Sequence, residues 1–315
     1  RRVLFRSSRK GSDRTMNFLT GEELTHTEIL ALADQAIQMK KDRAKGQIQP
    51  LLAGKTLGMV FEKPSVRTRF SFSVAMSELG GFVVETNALT SKKEEPRDLA
   101  RVLAGYCHAV MVRTHAHQIL EEMAAACPVP IINGLSDSHH PCQVLADLMA
   151  LKEHYGKLAG LKLAYIGDGN NMLHSLLLIL PRLGVDVRYS CPEGYAPEAW
   201  IIKKSKEHCV PGGGSIEGFA TPEEAVAGCH AVYTDVWASM GFEKEMSFRN
   251  DAFQGFQVNE KLMTLAAPHA VVMHCLPMNR GQEISETLVD SKQSIVFQQK
   301  FMNIQVSIAK NIKNW

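Results

Sequence analysis

The chain has 315 residues, enough to bury a substantial core and, at roughly 150 residues per domain, to form about two domains. Hydrophobic residues make up 45% and charged residues 22%, the balance of a globular protein and not of a disordered or fibrous one. The net charge is +2, but residues 1–15 carry six basic side chains and one acidic, leaving 29 basic and 32 acidic in the rest; a mildly acidic body excludes the clustered basic face of a nucleic-acid protein.

The opening RRVLFRSSRKGSDRT reads as a disordered or extraneous tail ahead of Met16, with an organelle transit peptide as the alternative. A first helix is expected from Thr25, where Thr25-His-Thr-Glu28 forms a capping box, with Ile29, Leu30, Ala33, Ala36 and Ile37 at helical spacing and Gly46 beyond its end. A strand over 57–61 then leads into Ser65-Val-Arg-Thr-Arg69. A second helix begins near Ser65, since Phe72, Ala75, Met76 and Leu79 recur at i, i+3, i+4 and i+7. Further strands are predicted over 109–113, 129–133, 162–166, 186–190, 231–234 and 270–274, with a helix over 143–154 that bridges two domains. This alternation predicts an α/β fold of two doubly wound parallel-sheet domains. The glycine-rich 211–215 reads as a surface loop.

The longest apolar run, Leu176 to Leu180, is far short of the ~20 residues that span a membrane. Seven cysteines, an odd number with no CxxC pair, read as reduced thiols. The expectation is a cytoplasmic protein, or one of the mitochondrial matrix if the basic tail is a transit peptide.

Five polar segments fall at predicted strand ends, where ligands bind in open α/β sheets. Ser65 to Arg69 offers a helix N-terminus with hydroxyls and two guanidinium groups, suited to a phosphate. Arg113 ends a strand. His140 stands beside Pro141 at a helix start, with Gln143 one turn on, and both could hydrogen-bond a carbonyl oxygen. A metal held by His139, His140 and Cys142 is the minor alternative, as adjacent residues rarely converge on one ion. Ile166-Gly-Asp-Gly-Asn-Asn171 invites a dinucleotide reading, but Met172 replaces the third glycine and no acidic residue follows the next strand. Asp168 and Asn171 read instead as contacts to a small zwitterion. Thr234 to Gly241 places Asp235, Ser239 and Met240 on a loop, and His274-Cys-Leu-Pro277 leaves the last strand with Arg280 behind it.

Taken together, SVRTR, HPCQ, GDGNNM, DVWASMG and HCLP resemble, in order and spacing, the aspartate/ornithine carbamoyltransferase family, over about Met16 to Phe297. The resemblance implies transfer of a carbamoyl group from carbamoyl phosphate to an amine, and DxWxSMG with HCLP points to ornithine, giving citrulline. It implies that Ser65, Val66, Arg67 and Thr68 cradle the phosphate. Arg113, His140, Gln143, Cys275 and Leu276 would bind and polarise carbamoyl phosphate. Asn171, Asp235, Ser239 and Met240 would hold ornithine. The catalytic set is then Arg113, His140, Asp235 and Cys275. No metal or organic cofactor is implied; a homotrimer is. Residues 16–150, with a C-terminal helix over 296–315, form the expected carbamoyl phosphate domain, and 151–295 the ornithine domain. An acylated ornithine or putrescine as acceptor, or a binding-competent homologue with impaired catalysis, are the alternatives. The second is motivated by Asn303, which stands where the family carries an Arg, and by a loop over 89–96 that departs from the family's wording.

Overall fold

The computed structural model describes residues 17–63, 65–87, 94–209, 213–238 and 246–300. Two parallel sheets result. The first contains β1 (Thr56–Phe61), β2 (Phe82–Thr86), β3 (Ala109–Arg113) and β4 (Ile131–Leu135) in the order β2-β1-β3-β4. The second contains β5 (Lys162–Ile166), β6 (Asp186–Ser190), β7 (Ile216–Gly218), β8 (Ala231–Thr234) and β9 (Val271–His274) in the order β7-β6-β5-β8-β9. Buried runs such as Ala109–Val112 and Val271–His274 suit strands covered by helices on both faces.

The connecting helices are α1 (His26–Ala44), α2 (Val66–Glu78), α3 (Pro96–Ala104), α4 (His117–Ala126), α5 (Pro141–Tyr155), α6 (Asn171–Ile179), α7 (Ala199–Glu207), α8 (Pro222–Val226) and α9 (Met246–Ala252). The capping box predicted at Thr25 and Glu28 is present. Helix α5 joins the sheets and is buried at every residue from Pro141 to Leu151. One apolar cluster runs from Met59 and Met111 through Leu148 to Tyr165, Tyr233 and Met273, so the two sheets share a core across α5.

Six of the seven predicted strands match to the residue or within one. The strand expected over 129–133 lies two residues later. Pro128 and Pro130 flank Val129 and have no N–H to give a ladder, so pairing starts at Ile131. Strands β2 and β7 were not predicted. Of the helix expected over 296–315, residues 296–297 form a turn and Gln298–Lys300 a 3-10 turn, while 301–315 lie outside the described residues, as do parts of the 89–96 and 211–215 loops. Among the described residues no helix is long and apolar enough to cross a membrane.

Each sheet has one point where strand order reverses, between β1 and β3 and between β5 and β8. At the second, Gly169 closes against the next loop, its N–H donating to Tyr195 O at 2.8 Å. A Cβ there would meet Pro197 N at 2.3 Å and the Ala196 carbonyl carbon at 2.4 Å, backbone atoms with no rotamer to yield. Gly169→Ala should therefore cost about 2–3 kcal/mol, measured as a lowered urea midpoint at unchanged m-value.

Candidate active site

The reversal in the first sheet brings the start of α2 beside the end of β3. Ser65 caps α2, its Oγ accepting from Thr68 N at 3.3 Å. Arg113 Nη1 donates to Thr68 Oγ1 at 3.1 Å. Glu62 ties the two loops together, with Thr114 Oγ1 and His115 N both 2.6 Å from its Oε2. A bulge skips Gly134 where Arg113 pairs with Leu135, which turns the strand end beside the arginine. Burial, and then the charge of Arg67, lower the Arg113 pKa to about 10. Two guanidinium groups thus stand together at a helix N-terminus, an arrangement that an anion relieves. The Val66 side chain is 70% exposed, so its contribution would be the backbone N–H of the first helical turn.

The second guanidinium expected here belongs elsewhere. Arg69 turns toward β2, with Nη1 2.9 Å from Glu85 Oε1, Nη2 3.1 Å from Asn87 Oδ1 and its carbon 4.6 Å from the Phe61 ring centre. Three residues along α2 from Thr68 would share its face, whereas one residue on does not.

His140 is the N-cap of α5 with Pro141 following, as predicted. Its N–H donates to Ser175 Oγ on α6 at 2.8 Å. Gln143 Nε2 donates to the fully buried Asp147 at 2.8 Å, one turn along the helix. Gln299 Nε2 reaches the same Asp147 oxygen at 2.8 Å, while Gln299 Oε1 accepts from His274 N at 2.9 Å. Neither Asp147 nor Gln299 was singled out from sequence. Helical spacing from Gln143 signals the first; nothing local signals the second.

At the second reversal, Asp235 follows β8 and is buried. Its Oδ1 accepts from Cys275 Sγ at 2.9 Å and Val236 N at 2.8 Å, and its Oδ2 from Asn170 Nδ2 at 2.8 Å. Cys275 follows β9. His274 before it is fully buried: its Nδ1 accepts from Leu276 N at 2.9 Å, which puts the ring proton on Nε2, 3.1 Å from Glu283 Oε1. That bond secures Leu276 in the left-handed region at φ 55°, a conformation that costs about 1 kcal/mol or more outside glycine.

Asp168 does not face a ligand as expected. It is buried in an ion pair with Arg249 of α9, at 2.7 Å, and Arg249 also donates to Trp237 O at 2.8 Å. Asn171 donates to Ser136 O at 2.6 Å, crossing from α6 to the loop after β4, while the neighbouring Asn170 reaches Asp235. Arg280 is taken by Asp290 at 2.6 Å. Ser239 and Met240 lie outside the described residues.

Among the described residues, only Asp235, His274 and Cys275 bring three metal-ligating atoms within 4.8 Å of one another. Both His274 ring nitrogens are engaged within the protein and the Cys275 thiol is turned to Asp235, so the set is built as a hydrogen-bonded carboxylate site. The alternative set of His139, His140 and Cys142 does not converge: Cys142 Sγ donates to Asn133 O at 3.3 Å, and burial pushes its thiol up to about 12.

Similarity to known proteins follows the same division. A family model described as the aspartate/ornithine carbamoyltransferase carbamoyl-P binding domain matches residues 16–153, and one described as its Asp/Orn binding domain matches 159–309. The chain is 44% identical over 293 residues to an ornithine carbamoyltransferase of Anoxybacillus flavithermus, covering 92% of each. It is 44% identical to the anabolic ornithine carbamoyltransferase of Pyrococcus furiosus, covering 88% of this chain and 89% of that one. A solved ornithine carbamoyltransferase structure from Pyrococcus furiosus superposes with a TM-score of 0.90 at 42% identity, covering 94% of this chain and 96% of that one.

Beside the site, His139 packs between His117, His174 and Trp200, and burial, with those two imidazoles and Lys204 adding to it, lowers its pKa to about 3. The unfolded chain takes up this proton near pH 6.5, so the stability His139 contributes is present above that pH and is lost as pH falls toward 3. Between pH 7.0 and 5.5 this group should remove about 1.3 kcal/mol. Urea unfolding at both pH values is expected to show a smaller difference in His139→Gln than in the wild type.

Proposed function

The chain belongs to the aspartate/ornithine carbamoyltransferase family, and we propose that it transfers the carbamoyl group of carbamoyl phosphate to the δ-amine of ornithine, giving citrulline and phosphate. The observation that carries this reading is the pairing of opposite charges at the two strand-order reversals. Arg67 and Arg113 meet at the N-terminus of α2, and the Asp235 carboxylate, with Cys275 against it, stands at the end of β8.

Ser65, Val66, Arg67 and Thr68 would hold the phosphate through the open N–H groups of α2 and the Arg67 charge. Arg113, His140 and Gln143, with Cys275 and Leu276, would surround the carbamoyl group. Asn171, Asp235, Ser239 and Met240 would hold ornithine. The δ-amine, with a pKa of about 10 by analogy with lysine, must shed a proton before it attacks. Asp235 and Cys275 would orient it and receive that proton. A C–N bond then forms at the carbonyl carbon while negative charge grows on its oxygen, toward Arg113 and His140. The C–O bond to phosphate breaks, and phosphate leaves against Arg67, taking the second proton from the attacking nitrogen. Most of the acceleration comes from holding two reactants in line, with no covalent intermediate.

Two finer points belong to the same reading. One is assembly as a homotrimer, supported by an apolar strip on the first half of the molecule. Val66, Phe70 and Val74 line one face of α2, and Phe82 and Val84 the edge strand β2; Phe70 and Phe82 are 69% and 65% exposed. Such a strip favours burial against another copy. The other is a cytoplasmic setting, the expectation for seven free cysteines.

The test is citrulline and phosphate release from carbamoyl phosphate and ornithine, with acetylornithine and putrescine as competing acceptors. Equimolar citrulline and phosphate, with ornithine preferred, is the expected result. Asp235→Asn should lower kcat/KM for ornithine by about 100-fold or more and leave carbamoyl phosphate affinity within a few-fold. Tight binding of both substrates without turnover would instead indicate a binding-only homologue, the outcome that Asn303 motivates.

Light scattering of the eluted protein should give three times the 34.9 kDa chain mass. A Phe70→Glu, Phe82→Glu double variant is expected to shift it toward a single chain.

A further inference from the structure

The loop after β5 carries two adjacent asparagines, and the first of them holds the acid at the end of β8. Asn170 caps α6, its Oδ1 accepting from Met172 N at 2.9 Å and Leu173 N at 3.4 Å, and also from the Tyr165 hydroxyl at 3.2 Å. Its Nδ2 donates to Asp235 Oδ2 at 2.8 Å. These contacts fix which end of the amide is nitrogen. Reversal would set a carbonyl oxygen against the carboxylate and an NH2 group against three donors. The other Asp235 oxygen accepts from Cys275 Sγ and Val236 N, so the carboxylate is gripped at both ends and its plane is set.

We infer that Asn170 is a positioning residue for the acceptor amine: it fixes the Asp235 carboxylate, and thereby the line along which the amine meets the carbamoyl carbon. The inference rests on Asp235 being the amine's partner, as proposed above. A capping role alone would be met as well by aspartate, which offers Asp235 no donor, or by serine, whose single short hydroxyl cannot cap the helix and reach Asp235 at once. The fully buried Tyr165 braces the amide from behind.

Asn170→Asp separates the two roles. Aspartate caps a helix as well as asparagine and still accepts from Tyr165, but it faces Asp235 with a second carboxylate instead of a donor. Neighbouring carboxylates resist being charged together, so one holds its proton to higher pH. The expected result is a fall in kcat/KM for ornithine of about 30-fold or more, with the acid limb of its pH profile moved upward by about one unit. Carbamoyl phosphate affinity, read by equilibrium dialysis, should remain at the wild-type value. Asn170→Ser keeps a cap but is too short to reach Asp235, and should lose ornithine kcat/KM without moving the limb.

An ornithine kcat/KM within about threefold of wild type in either variant overturns the inference, since a charge-assisted bond would then carry nothing. So does an equal loss of carbamoyl phosphate affinity, which would mark general disruption. If Asn170→Asp does not fold, Asn170→Ser decides alone on the same criterion. Absence of citrulline formation by the wild type would sink the functional reading and this inference with it; wild-type turnover with unaltered variants would sink this inference alone.

Discussion

A carboxylate sealed from water, Asp147, sits where the middle and the end of the chain meet, and the geometry of the site depends on satisfying it. It belongs to α5, the helix between the two sheets, and accepts amide hydrogens from Gln143 of that helix and from Gln299 near the chain's end. Gln299 in turn accepts from the backbone of His274 at the tip of β9. Removing one partner from a buried charge typically costs several kcal/mol, so α5, the 298–300 turn and β9 cannot shift independently. His140 opens the same helix and Cys275 follows His274. The proposed carbamoyl phosphate cradle and the proposed amine site are thereby kept in one register through a bond network centred on Asp147.

Electrostatics divide the labour between the two sheets. Each strand-order reversal leaves a crevice at strand C-termini, the first with Arg67 beside Arg113 and the second with Asp235. In the first, burial and a like-charged neighbour pull Arg113 down to about 10, a penalty that a bound phosphate would relieve. In the second, Asp235 spends both oxygens on an amide, a thiol and a backbone N–H, which hold it in place without cancelling its charge. On the proposed roles, an amine drawn to that carboxylate would arrive beside a carbonyl polarised from the opposite side. Little covalent chemistry is then asked of the protein, and preorganisation supplies the barrier reduction.

Much of this was legible in the sequence, for identifiable reasons. Central parallel strands such as β3 and β8, and β9 beside β8, are continuous apolar runs ended by a polar residue, so their ends could be read directly. The edge strand β2 is exposed at Phe82, Glu85 and Val84 and carries no such pattern, and β7 has three residues. At the site, Ser65, Thr68, Arg113, His140 and Asp235 stand at element ends where helix-cap and strand-end reasoning applies. Arg69 misled because its helical phase was not weighed against that of Thr68. Asp168 misled because its partner, Arg249, lies 81 residues away. Asn170 was overlooked beside Asn171 because a capping asparagine has a sufficient local explanation, and only the tertiary fold reveals the carboxylate beyond its nitrogen.

The Asp168–Arg249 pair fixes the far end of the segment that follows Asp235. The pair joins the loop after β5 to α9, and Arg249 also holds Trp237 O and lies 4.8 Å over the Tyr195 ring. The stretch between Asp235 and Arg249 is thus anchored at its start by Asp235's own bonds and at its far end by a buried ion pair. A buried pair of this kind adds little net stability over an apolar substitute, but it fixes geometry. Residues 239–240, which carry the signature suited to ornithine, fall between the anchors. On the proposed roles, substitutions there would alter which amine is preferred while Asp235 stays where its own bonds hold it.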